Sequence, residues 1–232
     1  LLIASSNLTK AGYAYNWEVA THFEYKASKP DEGVWQVFHW AVETIQQILN
    51  ASDTTGLGVQ RFDQILGTTP WLRQEHDPRL PKAVWPIHNL ETPIFRQVVE
   101  EYRKADNSPV KEAMIISPFF DPGAVAFAEL LSMLSPEILK LYTQAPQGLN
   151  KHTLKPILAR HPTDFQAFHL NADGRRLHAK ALKFRTDRGV WMVTGSANFS
   201  KPAYLQTASD GNFEMVVLRF LPEPSYFDAW MD

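Results

Sequence analysis

Residue types that together could handle a phosphate ester cluster in the last third of this 232-residue chain: His178 and Lys180 two apart, then Ser196 and Asn198, then Glu214. Imidazole can act as acid, base or nucleophile near neutral pH, an ammonium neutralises non-bridging oxygens, and hydroxyl and amide groups add fixed hydrogen bonds. Alternation along a strand would turn the His178 and Lys180 side chains to one face. Taken singly these signals are weak, because a His-x-Lys pair is usually a surface pair and Gly195-Ser196-Ala197-Asn198 usually just a turn. What joins them is an echo near the start. Ser5-Ser6-Asn7-Leu8-Thr9-Lys10 matches Ser196-Ala197-Asn198-Phe199-Ser200-Lys201, and Asn16-Trp17-Glu18-Val19 matches Asn212-Phe213-Glu214-Met215 in the same order. Two separated echoes imply a duplicated half-site, the first copy of which would contribute Ser5, Asn7 and Glu18.

The elements that must position these groups can be read from periodicity. Strands are expected at Leu1 to Ser5 and Trp17 to Phe23, and a helix at Val34 to Leu49, where apolar residues recur every three or four positions. Residues 51–81 lose periodicity and gain Gly, Pro, Asp and Thr, which predicts an irregular connection. Strands and helices then alternate: strand Ala83 to His88, helix Pro93 to Ala105, strand Ala113 to Ser117, helix Pro122 to Leu134, strand Ile138 to Thr143. Thr92 and Asp121, each followed by Pro, are start signals for the two helices. The last third reads as mainly sheet, with strands His178 to Phe184, Val190 to Thr194 and Phe213 to Phe220, the first two joined by a hairpin at Asp187-Arg188-Gly189. The fold class is therefore α/β, a mixed sheet flanked by helices. Its parts are 1-50 (remainder of a first half), 51-81 (connection) and 82-232 (second half).

Composition narrows the chemistry. Net charge is -2 and the pI near 6.5, so the chain lacks a general basic field and any anion site must be local. There is no cysteine, which removes disulfides, thiolate zinc sites and cysteine nucleophiles, and agrees with a reducing, cytoplasmic setting. His152, His161 and His169 lack metal-ligand spacing, so neither a metal nor a cofactor is expected. No apolar run approaches the roughly 18 residues of a membrane span.

The order His-x-Lys, Gly-Ser-Ala-Asn, Asn-x-Glu resembles the signature of the phospholipase D superfamily, in its nuclease-like and tyrosyl-DNA phosphodiesterase-like branch. The resemblance implies two halves meeting at a pseudo-two-fold axis and a metal-independent covalent phosphohistidine. It also implies roles: His178 as catalytic histidine, the general acid; Lys180 and Asn198 on the phosphate; Ser196 as supporting donor; Glu214 orienting the imidazole. Ser5, Asn7 and Glu18 would serve the other half. The chain departs from the pattern in having Arg185 where an Asp is usual, Ala4-Ser5 for Gly-Ser, and no His-x-Lys in the first copy. At the same eighteen-residue separation that histidine would precede Leu1, so the first half is expected to be truncated at its N-terminus. A missing segment of the same protein, or a second subunit, would complete the site. Arg176, Lys183 and Arg185 add cations near the active strand and suggest a groove for nucleic acid, DNA favoured, without stable membrane association. The rival expectations are a phospholipid hydrolase or transferase and a non-catalytic nucleic-acid-binding module.

Overall fold

A computed structural model of the chain describes residues 1–5, 15–26, 28–29, 31–51, 56–73, 83–144, 148–171 and 174–223. They divide into two compact units, Leu1 with His22–Trp85, and Leu2–Thr21 with Pro86–Asp232. This division differs from the expected one, because residues 2–21 belong with the C-terminal unit. Their short strands β1 (Leu2–Ala4), β2 (Asn16–Trp17) and β3 (Ala20–His22) carry Ser5 and Glu18.

The smaller unit is helical. Helix α1 (Glu32–Ala51) starts where Asp31 Oδ1 accepts the Val34 N–H at 2.9 Å, which satisfies one orphan donor of the first turn. Its apolar side meets Trp71: the Phe38 and Trp71 rings lie 5.5 Å apart edge-on, Tyr25 stacks on Trp71 at 4.1 Å, and Trp35 Nε1 donates to the Trp71 carbonyl at 2.9 Å. Helix α2 (Leu57–Thr68) lies inside the stretch expected to be irregular, and none of its side chains is buried. With two glycines in it and no buried side chain, its sequence has no apolar stripe strong enough to mark a helix.

Strands β4 (Val84–His88), which enters the larger unit at Pro86, β5 (Glu112–Ile116), β6 (Ile138–Thr143), β7 (Asp164–His169), β9 (Ala181–Arg185), β10 (Val190–Gly195) and β11 (Met215–Leu221) form one sheet, with β8 (Arg176–Leu177) outside it. The order is β4-β11-β10-β9-β5-β6-β7. Strands β5, β6 and β7 run parallel, whereas β5 to β9, β9 to β10 and β10 to β11 are antiparallel, so the sheet is mixed as expected. The parallel part is built of βαβ units through α4 (Val125–Leu134) and α5 (Lys151–Arg160). Helix α5 escaped notice because Leu154 is its one buried side chain and Pro156 interrupts its pattern.

Helix α3 (Ile94–Ala105) buries Ile94, Phe95, Val98, Val99 and Tyr102, and α4 buries Ala126, Phe127, Leu130, Leu131 and Leu134. Full burial of one such large apolar side chain contributes roughly 1.5–3 kcal/mol, so Val98→Asp or Leu130→Asp would detach a whole helix. The Asp121 carboxylate accepts from the N–H groups of Val125 at 2.5 Å and Lys201 at 2.7 Å, which ties the start of α4 to the Gly-Ser-Ala-Asn segment. At the end of α3, Asp106 accepts from Thr186 Oγ1 at 2.7 Å and Trp191 Nε1 at 3.0 Å and so anchors the β9–β10 hairpin. Burial works to raise the Asp106 pKa, but these donors and Ser108 outweigh it and hold the carboxyl below its ordinary value.

Candidate active site

His178 does not lie on a strand as expected. Residues 178–180 are irregular and β9 begins at Ala181. What places the imidazole is the parallel pairing of β2 with β8, in the register Asn16 with Arg176 and Trp17 with Leu177. The His178 N–H continues that ladder by donating to the Trp17 carbonyl at 2.9 Å. Glu18 is thereby brought beside His178, and its two carboxylate oxygens lie 2.8 and 2.9 Å from Nδ1. The carboxylate behind His178 is thus Glu18 and not Glu214, a correction to the role inferred from the resemblance. Strand register across 160 residues of chain decides it.

Both side chains are sheltered, His178 13% and Glu18 12% exposed. Burial by itself would raise the Glu18 pKa, but hydrogen bonds from Ser5, His178 and Asn16 overcome that and leave it below the ordinary carboxylate value. Glu18 is therefore a carboxylate at neutral pH, able to fix Nδ1 as the protonated nitrogen and leave Nε2 for a substrate.

Lys180 is buried, 4% exposed. Its Nζ donates to the His178 carbonyl at 2.6 Å and to the Ser5 carbonyl at 3.4 Å, and lies 3.1 and 3.2 Å from the two imidazole nitrogens. Burial pulls its pKa down to about 8; attraction to Glu18 and Glu214 offsets part of the shift, and repulsion from Arg176 adds to it. An ammonium held this way lacks a full counter-charge and is poised to receive an anion.

The sequence echo is also a geometric one. Ser5 N donates to Val19 O at 2.9 Å, and Ser196 N to Met215 O at 3.0 Å. Val19 N donates to Ser5 Oγ at 3.0 Å, and Met215 N to Ser196 Oγ at 3.0 Å. Ser5 Oγ donates to Glu18 and Ser196 Oγ to Glu214, while Asn16 and Asn212 each donate from Nδ2 to the same glutamates, at 3.3 and 3.4 Å. Gly195 is required in the second frame because a Cβ there would stand 2.3 Å from the Met215 carbonyl oxygen.

Asn198 is half-buried, and its Oδ1 has no hydrogen-bond partner among the described residues. Asn7 lies outside the described residues. Lys183 is 1% exposed within the central strand β9, so it cannot line a groove: the strand is covered on both faces. Arg185 sits at the far end of β9 from His178, roughly 13 Å beyond Ala181, and pairs with Glu112 at 2.9 Å. Of the three expected nucleic-acid cations, Arg176 alone flanks His178, and it is exposed.

Asn89, a fully buried side chain directly after β4, is a residue that sequence reasoning missed. Its Oδ1 accepts from Glu214 N at 2.8 Å, and its Nδ2 donates to the carbonyls of Asn212 at 2.6 Å and Gln206 at 3.0 Å. It holds the backbone on both sides of Phe213 and thereby aims Glu214. A lone asparagine after a strand carries no signal of such a role; only the fold brings it to the second frame. Among the described residues no group of three or more His, Asp or Glu could hold a metal ion. None of the described helices is long and apolar enough to cross a membrane.

No protein-family profile and no curated protein matches the sequence. Solved structures do match. The yeast tyrosyl-DNA phosphodiesterase superposes with a TM-score of 0.55 over 94% of this chain at 9% identity, and the chain covers 64% of that protein's length. Nuc of Salmonella typhimurium, a phospholipase D family member, gives a TM-score of 0.40 over 64% of this chain and 88% of its own, at 14% identity. NucT from Helicobacter pylori gives 0.38 over 64% of this chain and 90% of its own, at 13% identity. The chain shares its fold, a mixed sheet flanked by helices, with the yeast tyrosyl-DNA phosphodiesterase.

Proposed function

We propose that this protein hydrolyses phosphodiester bonds, those of nucleic acid in preference, through a metal-independent covalent phosphohistidine. The observation that carries the reading is His178 with Glu18 on Nδ1 and the buried Lys180 beside its ring, together with a second Ser–Asn–Glu frame of the same geometry around Glu214. The fold shared with a tyrosyl-DNA phosphodiesterase agrees with it.

In this reading the two frames are duplicated half-sites. The second imidazole, expected on Glu214, is supplied from outside the described residues. That imidazole attacks phosphorus, the bond to the departing oxygen breaks, and His178 gives its Nε2 proton to that oxygen. His178, now neutral, takes a proton from water as the water oxygen attacks phosphorus, and the phosphorus–nitrogen bond breaks. Lys180 and Asn198 neutralise and orient the non-bridging oxygens throughout, so a preorganised cation supplies the charge stabilisation. The exposed Arg176 adds attraction for a polyanion.

The test is cleavage of a fluorescent single-stranded oligonucleotide by the protein in excess EDTA, with His178→Ala as control. Activity that survives chelation and disappears in the variant supports the reading; activity that dies with EDTA and returns with magnesium contradicts it. A phospholipid hydrolase is a second reading, because Tyr15 and Phe213, neighbours of Asn16 and Glu214, are 57% and 42% exposed. Strong, salt-insensitive binding to phosphatidylcholine vesicles with negligible oligonucleotide affinity would favour it.

A further inference from the structure

Two segments that build the site also set an aromatic ring and a guanidinium together at its flank. The guanidinium carbon of Arg176 lies 5.5 Å from the ring centre of Phe119. Arg176 is exposed, Phe119 half-buried, and Arg176 makes no ion pair with any described residue.

Both are mounted rigidly. Gln144, directly after β6, donates from Nε2 to the Arg175 carbonyl at 2.7 Å and accepts the Leu177 N–H at 2.5 Å, so one amide clamps the backbone on either side of Arg176. On the other side, the buried Ser117 hydroxyl donates to the Phe119 carbonyl at 2.9 Å and accepts the Phe199 N–H at 3.0 Å. Phe120 forms a parallel β-bridge with Phe199, the residue that follows Asn198. Behind the loop, Gly148 backs so closely on Phe120 that a Cβ would stand 2.0 Å from its carbonyl oxygen.

An exposed cation–π pair requires no ligand to explain it. Here, however, the cation has no carboxylate partner among the described residues. The pair is fixed by one segment that leads into His178 and another that adjoins Asn198. Two extended residues span about 6.6 Å, which sets Arg176 about one nucleotide step from the imidazole.

We infer that Phe119 and Arg176 form a stacking subsite for the nucleobase next to the scissile phosphate, and that this base must be unpaired. The inference rests on the phosphodiester reading above and names its substrate class. A base inside a duplex has both faces covered by its neighbours, whereas a single-stranded or frayed end can lay one face on a ring or a guanidinium plane. Phe119 supplies the apolar surface, and Arg176 continues the stack and meets a phosphate oxygen.

The test is binding, so that it does not depend on turnover. A 3′-phosphorylated, fluorescently labelled oligothymidylate is compared by anisotropy with the same probe made abasic at its terminal residue. The full chain should prefer the intact probe by about 5- to 100-fold, the range for stacking one base on an aromatic side chain. Phe119→Leu, which keeps the apolar packing but removes the π face, should bring the ratio close to one. Phe119→Trp should keep or raise it, and Arg176→Lys should lower it while keeping the charge. A ratio near one in the unaltered protein, or one that Phe119→Leu leaves unchanged, overturns the subsite. Hydrolysis of a base-free alkyl phosphodiester is measured in parallel. Its absence beside an intact base preference would count against the hydrolase reading and not against the subsite.

Discussion

The frames around Ser5 and Ser196 share every hydrogen bond that defines them, yet they differ in what their carboxylates hold. Glu18 carries His178, whereas Glu214 has no histidine partner among the described residues. The frame around Glu214 forms all the same. Each frame is therefore a product of local strand pairing, and the imidazole is delivered to it by a separate contact. For Glu18 that contact is the β2–β8 ladder. The carboxylate is thus held in the same geometry with an imidazole beside it and without one. The frames also differ in support: Asn89 buttresses Glu214 from outside its own segment, while the Glu18 frame is held by its own short strands and by His178.

The comparison is broken most severely at the two glutamates. Glu18→Gln should cut phosphodiester turnover on the order of 10²- to 10⁴-fold, the range over which a catalytic imidazole depends on the carboxylate behind it. It should also remove the hydrogen-bonded Nδ1–H signal of His178 from the proton NMR spectrum. Glu214→Gln should leave that signal in place; its disappearance there would mean that both carboxylates act on one imidazole.

A smaller loss is expected from Asn89→Ala. It leaves the buried Glu214 N–H and two carbonyls without partners, a cost of about 1–3 kcal/mol for each such group, seen as a lower unfolding midpoint. Because Asn89 positions Glu214 without touching substrate, kcat should fall roughly tenfold or more with KM little changed, and Asn89→Asp should not restore it. Unaltered kcat with reduced stability would reduce Asn89 to a structural role.

Lys180→Met separates stability from function. The folded-state pKa of about 8 lies below the ordinary 10.5, so the folded chain holds this proton less tightly than the unfolded chain. The penalty for the buried ammonium is present in full below pH 8 and fades as pH rises toward 10.5. Lys180→Met should therefore be more stable at pH 7, on the order of 1–3 kcal/mol, with the gain shrinking above pH 8. Phosphate-analogue binding should be lost in the variant, and in the unaltered protein should weaken as pH rises through 8. A variant that is no more stable at pH 7 than at pH 10 would show that the ammonium is solvated.

Much of this was legible in the sequence. Helices α1, α3 and α4 announced themselves because one face of each meets a core, and β6 was placed at its observed ends, Ile138 and Thr143. The Ser–Asn–Glu echo survived as geometry because identical local pairings were spelled by similar residues. What stayed hidden depends on long-range contact. The partner of His178 is chosen by a two-residue ladder 160 positions away, and Lys183 is buried because β9 lies in mid-sheet, which its charged sequence does not suggest. The unit boundary at residues 21 and 22 was missed because it falls inside β3, where the sequence carries no break signal, whereas the Gly- and Pro-rich stretch after Asn50 does.

The proposed role of His178, proton donor in a covalent phosphohistidine mechanism, is open to test through the dependence of His178→Ala on the leaving group. The protein is assayed with the second histidine present, on an alkyl phosphodiester or DNA and on a nitrophenyl ester. An alkoxide needs a proton to depart and a nitrophenolate does not, so the variant should lose on the order of 10²- to 10⁴-fold on the first substrate and far less in the first turnover of the second. Water attack on the phosphohistidine still lacks its base, so the nitrophenyl ester should give a burst of one equivalent followed by slow turnover. Equal loss on both substrates with no burst would contradict the account and make His178 the nucleophile.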